Sequence, residues 1–206
     1  MEIHWHGRGC FELRAPAGVV VTDPFVSPAG TRLASLQADI VTLSLAAADT
    51  GAIAGQPYVV RGPGEYEVHG IFVIGVESAE GEDARRPLAP NTMYCLDFDG
   101  LTVCHLGHLG HALTQSQVEA LGNVDVLLLP VGGALALGPM AAVDIVNQIE
   151  PAIVIPLHDT GDSGSGPIEQ FLKEMGAADH SPRASLRVDA QRLPEEPQVV
   201  LLRPAS

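Results

Sequence analysis

Three histidines separated by glycines form the densest group of candidate chemical side chains in this 206-residue sequence. His105, His108 and His111 recur at every third position of the segment His-Leu-Gly-His-Leu-Gly-His. Imidazole is the commonest protein ligand for borderline metals, and a glycine-rich loop could bring several imidazoles to one point. The segment therefore predicts either a metal-binding loop or a loop whose histidines bind backbone groups.

Two further candidates follow apolar runs that are typical of buried strands. His158 and Asp159 come directly after residues 152–157, so the histidine could supply a ligand and the aspartate a carboxylate that orients it. Asp49 follows the β-branched run that begins at Ile40, and on its own it predicts a turn.

The first half of the sequence predicts strands and the second half alternates helices with strands. Asp99-Gly100 is a strong signal for a two-residue hairpin turn, and Thr114 to Gln117 fits a capping box. Prolines at 139 and 167 are expected to begin two more helices. Strands are predicted over residues 2–6, 10–14, 19–22, 40–43, 58–60, 66–76, 93–98, 101–106, 124–129, 152–157 and 199–202. This order predicts two packed sheets with helices outside, in one domain over residues 1–206.

Composition and charge exclude several classes of function. A formal net charge of -14 and a pI near 4.7 disfavour binding to nucleic acids or anionic membranes. We find no apolar run of the ~20 residues that a membrane-spanning helix needs, and no secretion signal, so a cytoplasmic protein is expected. The three cysteines, 10, 95 and 104, are too few and too scattered to predict a disulfide framework or a Cys-x-x-Cys metal site.

Seven segments, taken together, resemble the metallo-β-lactamase fold, and most closely its small bacterial Zn-dependent hydrolase branch, which includes ascorbate-6-phosphate lactonase-like proteins. They are residues 5–11, 21–25, 38–42, 61–66, 104–107, 125–133 and 155–158, in the order that the family has them. The resemblance implies an α/β fold, a four-layer αββα sandwich, with metals at the strand ends between the two sheets.

The resemblance also places the family's metal motif, His-x-His-x-Asp-His, on residues 44–50. Leu45, Ala47 and Thr50 stand where the three histidines are expected, and Asp49 is the one motif ligand that is kept. Leucine and alanine have no electron pair to donate to a metal. The resemblance therefore implies a degenerate motif and a dinuclear centre that is largely lost.

The three remaining ligand positions of the family fall on Glu80, His108 and His158. Glu80 stands for a histidine and His108 for the bridging aspartate, whereas the final histidine is kept as His158. A neutral imidazole bridges two cations poorly, and the change at 108 is either drift after the loss of the site or a substitution that rescues one metal. The expected cofactor is therefore none, or one divalent ion such as Zn, Fe or Mn.

Two hypotheses of function stay open at this point. The first is a non-catalytic protein whose cleft, made apolar at Leu45, Ala47 and Ala48, binds a small molecule. The second is a mononuclear hydrolase of a small ester, lactone or phosphoester that uses metal-bound hydroxide. Its metal ligands would be Asp49, His108 and His158, with Glu80 in reach and His105 and His111 as proton-transfer or ligand-orienting groups. Specificity is expected in the loops 77–90 and 160–166, and homo-oligomers are known in the family although the sequence identifies no interface.

Overall fold

The computed structural model describes residues 1–25, 36–45, 50, 53–78, 90–132, 137–157, 166–177 and 181–205. Three of the predicted metal ligands, Asp49, Glu80 and His158, lie outside these residues. Most of the predicted specificity loops 77–90 and 160–166 lies outside them as well.

The described residues form fifteen strands, three α-helices and one short 3-10 helix. The strands are β1 (Glu2–Gly7), β2 (Cys10–Ala15), β3 (Gly18–Thr22), β4 (Leu36–Gln37), β5 (Ile40–Leu43), β6 (Ile53–Ala54), β7 (Tyr58–Arg61), β8 (Gly64–Val68), β9 (Ile71–Glu77), β10 (Thr92–Phe98), β11 (Leu101–His105), β12 (Val126–Pro130), β13 (Ile153–Leu157), β14 (Leu186–Arg187) and β15 (Gln198–Val199). The helices are α1 (Gln115–Leu121), α2 (Pro139–Ile149) and α3 (Gly166–Glu174), and the 3-10 helix is Ala190–Arg192.

Two mixed sheets contain most of the strands. Sheet 1 has the order β14-β1-β2-β3-β5-β7, and sheet 2 has the order β15-β13-β12-β11-β10-β9-β8. The short strands β4 and β6 pair with each other. This arrangement confirms the predicted α/β class with two packed sheets.

The main core lies between the two sheets, and alternation along each strand builds it. Ile3 and Trp5 of β1 point inward and are almost fully buried, as are Val126 and Leu128 of β12. In a strand, successive side chains point to opposite faces, so the next residue, Leu127, packs in a second core on the outer face of sheet 2. Sheet 2 is therefore covered on both sides, which explains its continuous apolar runs.

The helices bury one apolar face each against the outer face of sheet 2. The Thr114 hydroxyl accepts from the Gln117 backbone N–H and the Gln117 side chain accepts from the Thr114 N–H, so the predicted capping box is confirmed. Pro139 is in the first turn of α2, and α3 spans Pro167, as the sequence predicts. None of the helices in the described ranges is long and apolar enough to cross a membrane.

Two predictions about the strands are wrong. The closing strand predicted over residues 199–202 is only the two-residue strand β15. Residues 66–76 form two strands, β8 and β9, instead of one, and His69-Gly70 is the turn between them. His69 has φ 55° and Gly70 has φ 79°. Histidine tolerates the left-handed region better than most non-glycine residues, but His-Gly is a weaker turn signal than Asn-Gly or Asp-Gly, which is why the pattern hides this hairpin.

Candidate functional site

Three strands end at one place between the sheets. Asp23 follows β3, Ser44 and Leu45 follow its parallel neighbour β5, and His105 is the last residue of β11. In α/β proteins, binding sites lie beyond the carboxyl ends of parallel strands. The side chains at these ends are therefore the candidate site.

Asp23 is fixed at the centre of this region by the backbone of β5. Its Oδ1 accepts the Ser44 N–H at 2.6 Å, and its own N–H donates to the Thr42 carbonyl at 2.9 Å. Asp23 has φ 36°, a left-handed conformation that a non-glycine residue adopts at a cost, in turns and at functional sites. It is 7% exposed, and its other oxygen, Oδ2, has no hydrogen-bond partner among the described residues. In the sequence, Asp23 belongs only to the landmark segment 21–25, and its one signal is that it is an aspartate before a proline at a strand end.

His105 lies buried beside this carboxylate. Its Nδ1 is 3.8 Å from Asp23 Oδ2, and the edge of its ring packs against Phe11. Complete burial lowers the pKa of His105 to about 4, although the Asp23 carboxylate acts in the opposite direction and His108 adds to the lowering. His105 is therefore neutral near pH 7.

This buried imidazole predicts a loss of stability in acid. The pKa of His105 falls from 6.5 to about 4 on folding, so between these pH values the unfolded chain binds more protons than the folded chain. Stability is therefore complete above about pH 6.5 and falls towards pH 4, by about 3 kcal/mol for this group. Urea unfolding between pH 4 and 7 should show a smaller acid loss in His105→Gln than in the wild type. The exposed turn residue His69, changed to Gln, is the control, and an equal acid loss in all three proteins would contradict the assignment.

His108 approaches the same carboxylate from the solvent side. Its Nε2 is 4.0 Å from Asp23 Oδ2, and its side chain is 53% exposed. Its backbone N–H donates to Asn91 Oδ1 at 2.8 Å, which holds the residue in place. The structure thus brings two of the three histidines of the predicted loop to one oxygen atom.

His111 is directed elsewhere. Its Nδ1 lies 2.8 Å from the Ala112 carbonyl and its Nε2 lies 3.1 Å from the Ser78 carbonyl. For this residue the structure matches the alternative that the sequence left open, in which a loop histidine binds backbone groups. The histidine-rich segment therefore divides into a pair at Asp23 and a third residue that anchors the loop.

Asn91 holds the loop that carries these histidines. Its amide donates to the Leu106 carbonyl at 3.1 Å and to Ser78 Oγ at 2.7 Å, in addition to its bond with His108. Asn91 is 4% exposed and forms an isolated β-bridge with Leu45. The backbone of Asn91 thus pairs with the end of β5, while its side-chain amide holds the loop after β11.

The described side chains do not make up a metal centre by themselves. Within those ranges, no three His, Cys, Asp or Glu side chains are arranged to hold an ion. Leu45, half-buried next to Asn91, presents only carbon at the position that the resemblance gives to the first histidine. Among the described side chains, the candidate donors at the strand ends are Asp23, His105 and His108.

Comparisons with known proteins agree with this architecture. The family model described as "Beta-lactamase superfamily domain" matches residues 2–158. A UPF0173 protein of Pyrococcus abyssi is 24% identical over 196 residues, which cover 85% of this chain and 90% of that protein. A UPF0173 metal-dependent hydrolase of Thermoplasma acidophilum is 25% identical over 77% of this chain and 83% of its own length.

A solved structure extends the likeness to the whole chain. It is a protein of Thermotoga maritima assigned to the Zn-dependent hydrolases of the metallo-β-lactamase superfamily, with 32% identity and a TM-score of 0.80. The match covers 98% of this chain and 97% of that chain. The chain described here belongs to the metallo-β-lactamase superfamily.

Proposed function

We propose that this chain uses the metallo-β-lactamase scaffold to bind a small molecule and does not hydrolyse through a two-metal centre. The observation that carries the proposal is Leu45, which pairs with Asn91 at the end of β5 and to which the resemblance assigns the first histidine of the motif. The relatives from Thermoplasma acidophilum and Thermotoga maritima carry names that describe metal-dependent hydrolases. We therefore expect this chain to share the fold of these relatives but not hydrolysis by a two-metal centre.

The chemistry of the donor atoms supports the proposal. A catalytic zinc usually takes three protein ligands and a water molecule. Of the motif's four ligand positions, Leu45 and Ala47 offer no lone pair and Thr50 offers only a hydroxyl, which leaves Asp49. With Glu80, His108 and His158 this makes four strong donors, fewer than two ions with three protein ligands each would need.

The groups that remain suit a small ligand with both polar and apolar parts. His108 offers a half-exposed imidazole, and the neutral His105 and Asp23 lie behind it. Leu45 adds an apolar surface at the neighbouring strand end. Apolar walls with a few fixed polar groups are the usual composition of a small-molecule site.

Metal content tests the proposal, with a rebuilt site as the positive control. The wild-type chain, purified without chelators and saturated with Zn, Fe or Mn in turn, should retain far less than one ion per chain after desalting. The variant Leu45→His, Ala47→His, Thr50→His, Glu80→His and His108→Asp restores the family's donor set and should retain metal. Two ions in the wild type, or ester hydrolysis that a chelator abolishes, would overturn the proposal.

A one-metal hydrolase is the second candidate, and the position of His108 favours it. The His108 imidazole is turned towards Asp23 at the strand ends. In this hypothesis Asp49 and His158 would be the other two ligands of the ion. Such an ion would polarise the scissile bond and supply a bound hydroxide. Stoichiometric metal that is lost in both His108→Ala and His158→Ala, but kept in His111→Ala, would favour this candidate over ligand binding without metal.

A further inference from the structure

Cys95 and Cys104 are direct neighbours across the β10–β11 hairpin. The strand register pairs Cys95 with Cys104, and both thiols are reduced. The turn residues Asp99 and Gly100 have φ 61° and 72°, which is the type I′ geometry of a two-residue hairpin. A two-residue turn pairs the residues that lie at equal distances before and after it, so the turn at Asp99-Gly100 itself pairs Cys95 with Cys104.

The alternation of this ladder brings the two side chains close together. Phe98 and Leu101 close the turn as a hydrogen-bonded pair. Hydrogen-bonded and non-hydrogen-bonded pairs then alternate along the two strands, so the first and third pairs after Phe98–Leu101 are non-hydrogen-bonded. Cys95 and Cys104 form one of these, with Cα atoms about 4.5 Å apart. This separation lies at the short end of the range that a disulfide spans, about 4.4–6.8 Å.

The two thiols differ in their access to solvent. Cys95 is 3% exposed and lines a groove of about 510 Å³ on the outer face of sheet 2, whereas Cys104 is fully buried. Burial raises the pKa of the Cys104 thiol well above its ordinary value, and the neighbouring Cys95 raises it further. A reagent in the groove would therefore meet Cys95 first.

The groove carries negative charge above an apolar floor. Phe72 and Ile74 of β9 are 51% and 41% exposed, and the carboxylates of Glu65 and Asp97 line the same groove. In the described part of the chain, neither carboxylate takes part in an ion pair. A cationic reagent would be attracted to this groove and an anionic one would be repelled.

We propose that Cys95 and Cys104 form a dithiol site that reduces a low-molecular-weight disulfide bearing ammonium groups and becomes a cross-strand disulfide. The Cys95 thiolate attacks one sulfur of the reagent, whose S–S bond breaks, and the thiolate that leaves takes up the proton lost by Cys95. Cys104 then attacks the sulfur of Cys95 in this mixed disulfide and releases the second thiol, which receives the Cys104 proton. Two protein thiols are oxidised, and one disulfide is reduced to two thiols.

The probes that test this site are three disulfides of different charge: cystamine, bis(2-hydroxyethyl) disulfide and glutathione disulfide. The full-length chain is treated with each, quenched with an alkylating agent, and mapped by mass spectrometry without reduction. We expect a peptide pair linked through Cys95 and Cys104, formed about tenfold faster with cystamine than with glutathione disulfide at low salt. High salt should shrink this ratio, and Glu65→Gln with Asp97→Asn should remove it.

Variants separate the two thiols. Cys104→Ser should stop at one cysteamine on Cys95, and Cys95→Ser should give no linked product. Cys10→Ser, which changes a buried thiol of sheet 1, should react as the wild type does. The wild-type peptide map alone overturns the proposal if no Cys95–Cys104 link forms, or if all three probes react equally fast at low salt. These outcomes do not depend on whether the strand-end site binds metal.

Discussion

Gly107→Ala is expected to destabilise the fold by about 3 kcal/mol. A Cβ at this position would overlap Ser44 Oγ and Asn91 Oδ1, two buried atoms that cannot both move away. The backbone adds to the cost because Gly107 has φ 60°, where an L-residue is strained by about 1–2 kcal/mol. Urea unfolding monitored by the single tryptophan measures the effect.

Gly176→Ala is the matched control for this variant. Gly176 has φ 63°, almost the same as Gly107, but an added Cβ would meet no atom within 4 Å. It should therefore show only the backbone cost, about 1–2 kcal/mol. Equal losses in the two variants would mean that the close approach of the histidine loop to Ser44 and Asn91 does not matter for stability.

Asn91→Ala is expected to cost about 3 kcal/mol and to loosen the loop after β11. The substitution removes the three hydrogen bonds that the amide makes with Ser78, Leu106 and His108. It leaves the His108 N–H without its partner, while the Leu106 carbonyl keeps only the Leu109 N–H, and a buried group left unpaired costs about 1–3 kcal/mol. Hydrogen exchange should show lost protection at the His108 amide before any change in β12.

An exposed asparagine provides the comparison. Asn123→Ala lies outside both cores and should change the free energy of unfolding by less than about 0.5 kcal/mol. Asn91→Asp should also be destabilising, because its carboxylate would face the Leu106 carbonyl in place of an N–H donor. Unchanged exchange at His108 in Asn91→Ala would contradict the role given to this amide.

The fold was largely predictable because short local sequence signals mark many of its turns and helix starts. Asp99-Gly100 fixes one hairpin, and Thr114 with Gln117 and the prolines at 139 and 167 mark the helices. The β8–β9 turn at His69-Gly70 was missed because His-Gly is a weaker turn signal than Asn-Gly or Asp-Gly. The two-residue strand β14 was missed as well, since its pairing with β1 is set by tertiary contacts and not by its own pattern.

The site was less predictable, because proximity depends on register and on strand order. His105 and His108 were candidates from their spacing, but their shared neighbour Asp23 is more than 80 positions earlier in the chain. The spacing of Cys95 and Cys104 suggested scattered thiols. Both cysteines lie at the same distance from the Asp99-Gly100 turn, and this symmetry would have shown that they are paired. The roles predicted for Asp49, Glu80 and His158 remain predictions.

The antiparallel pairing of β1 with β14 joins Glu2 to Arg187. On the ribosome, the outer edge of β1 therefore has no partner until about 185 further residues have been translated. At about 5–20 residues per second, this delay lasts roughly ten to forty seconds. An unpaired strand edge is a template for association with other nascent chains, so we expect the demand for chaperones to be greatest during this interval.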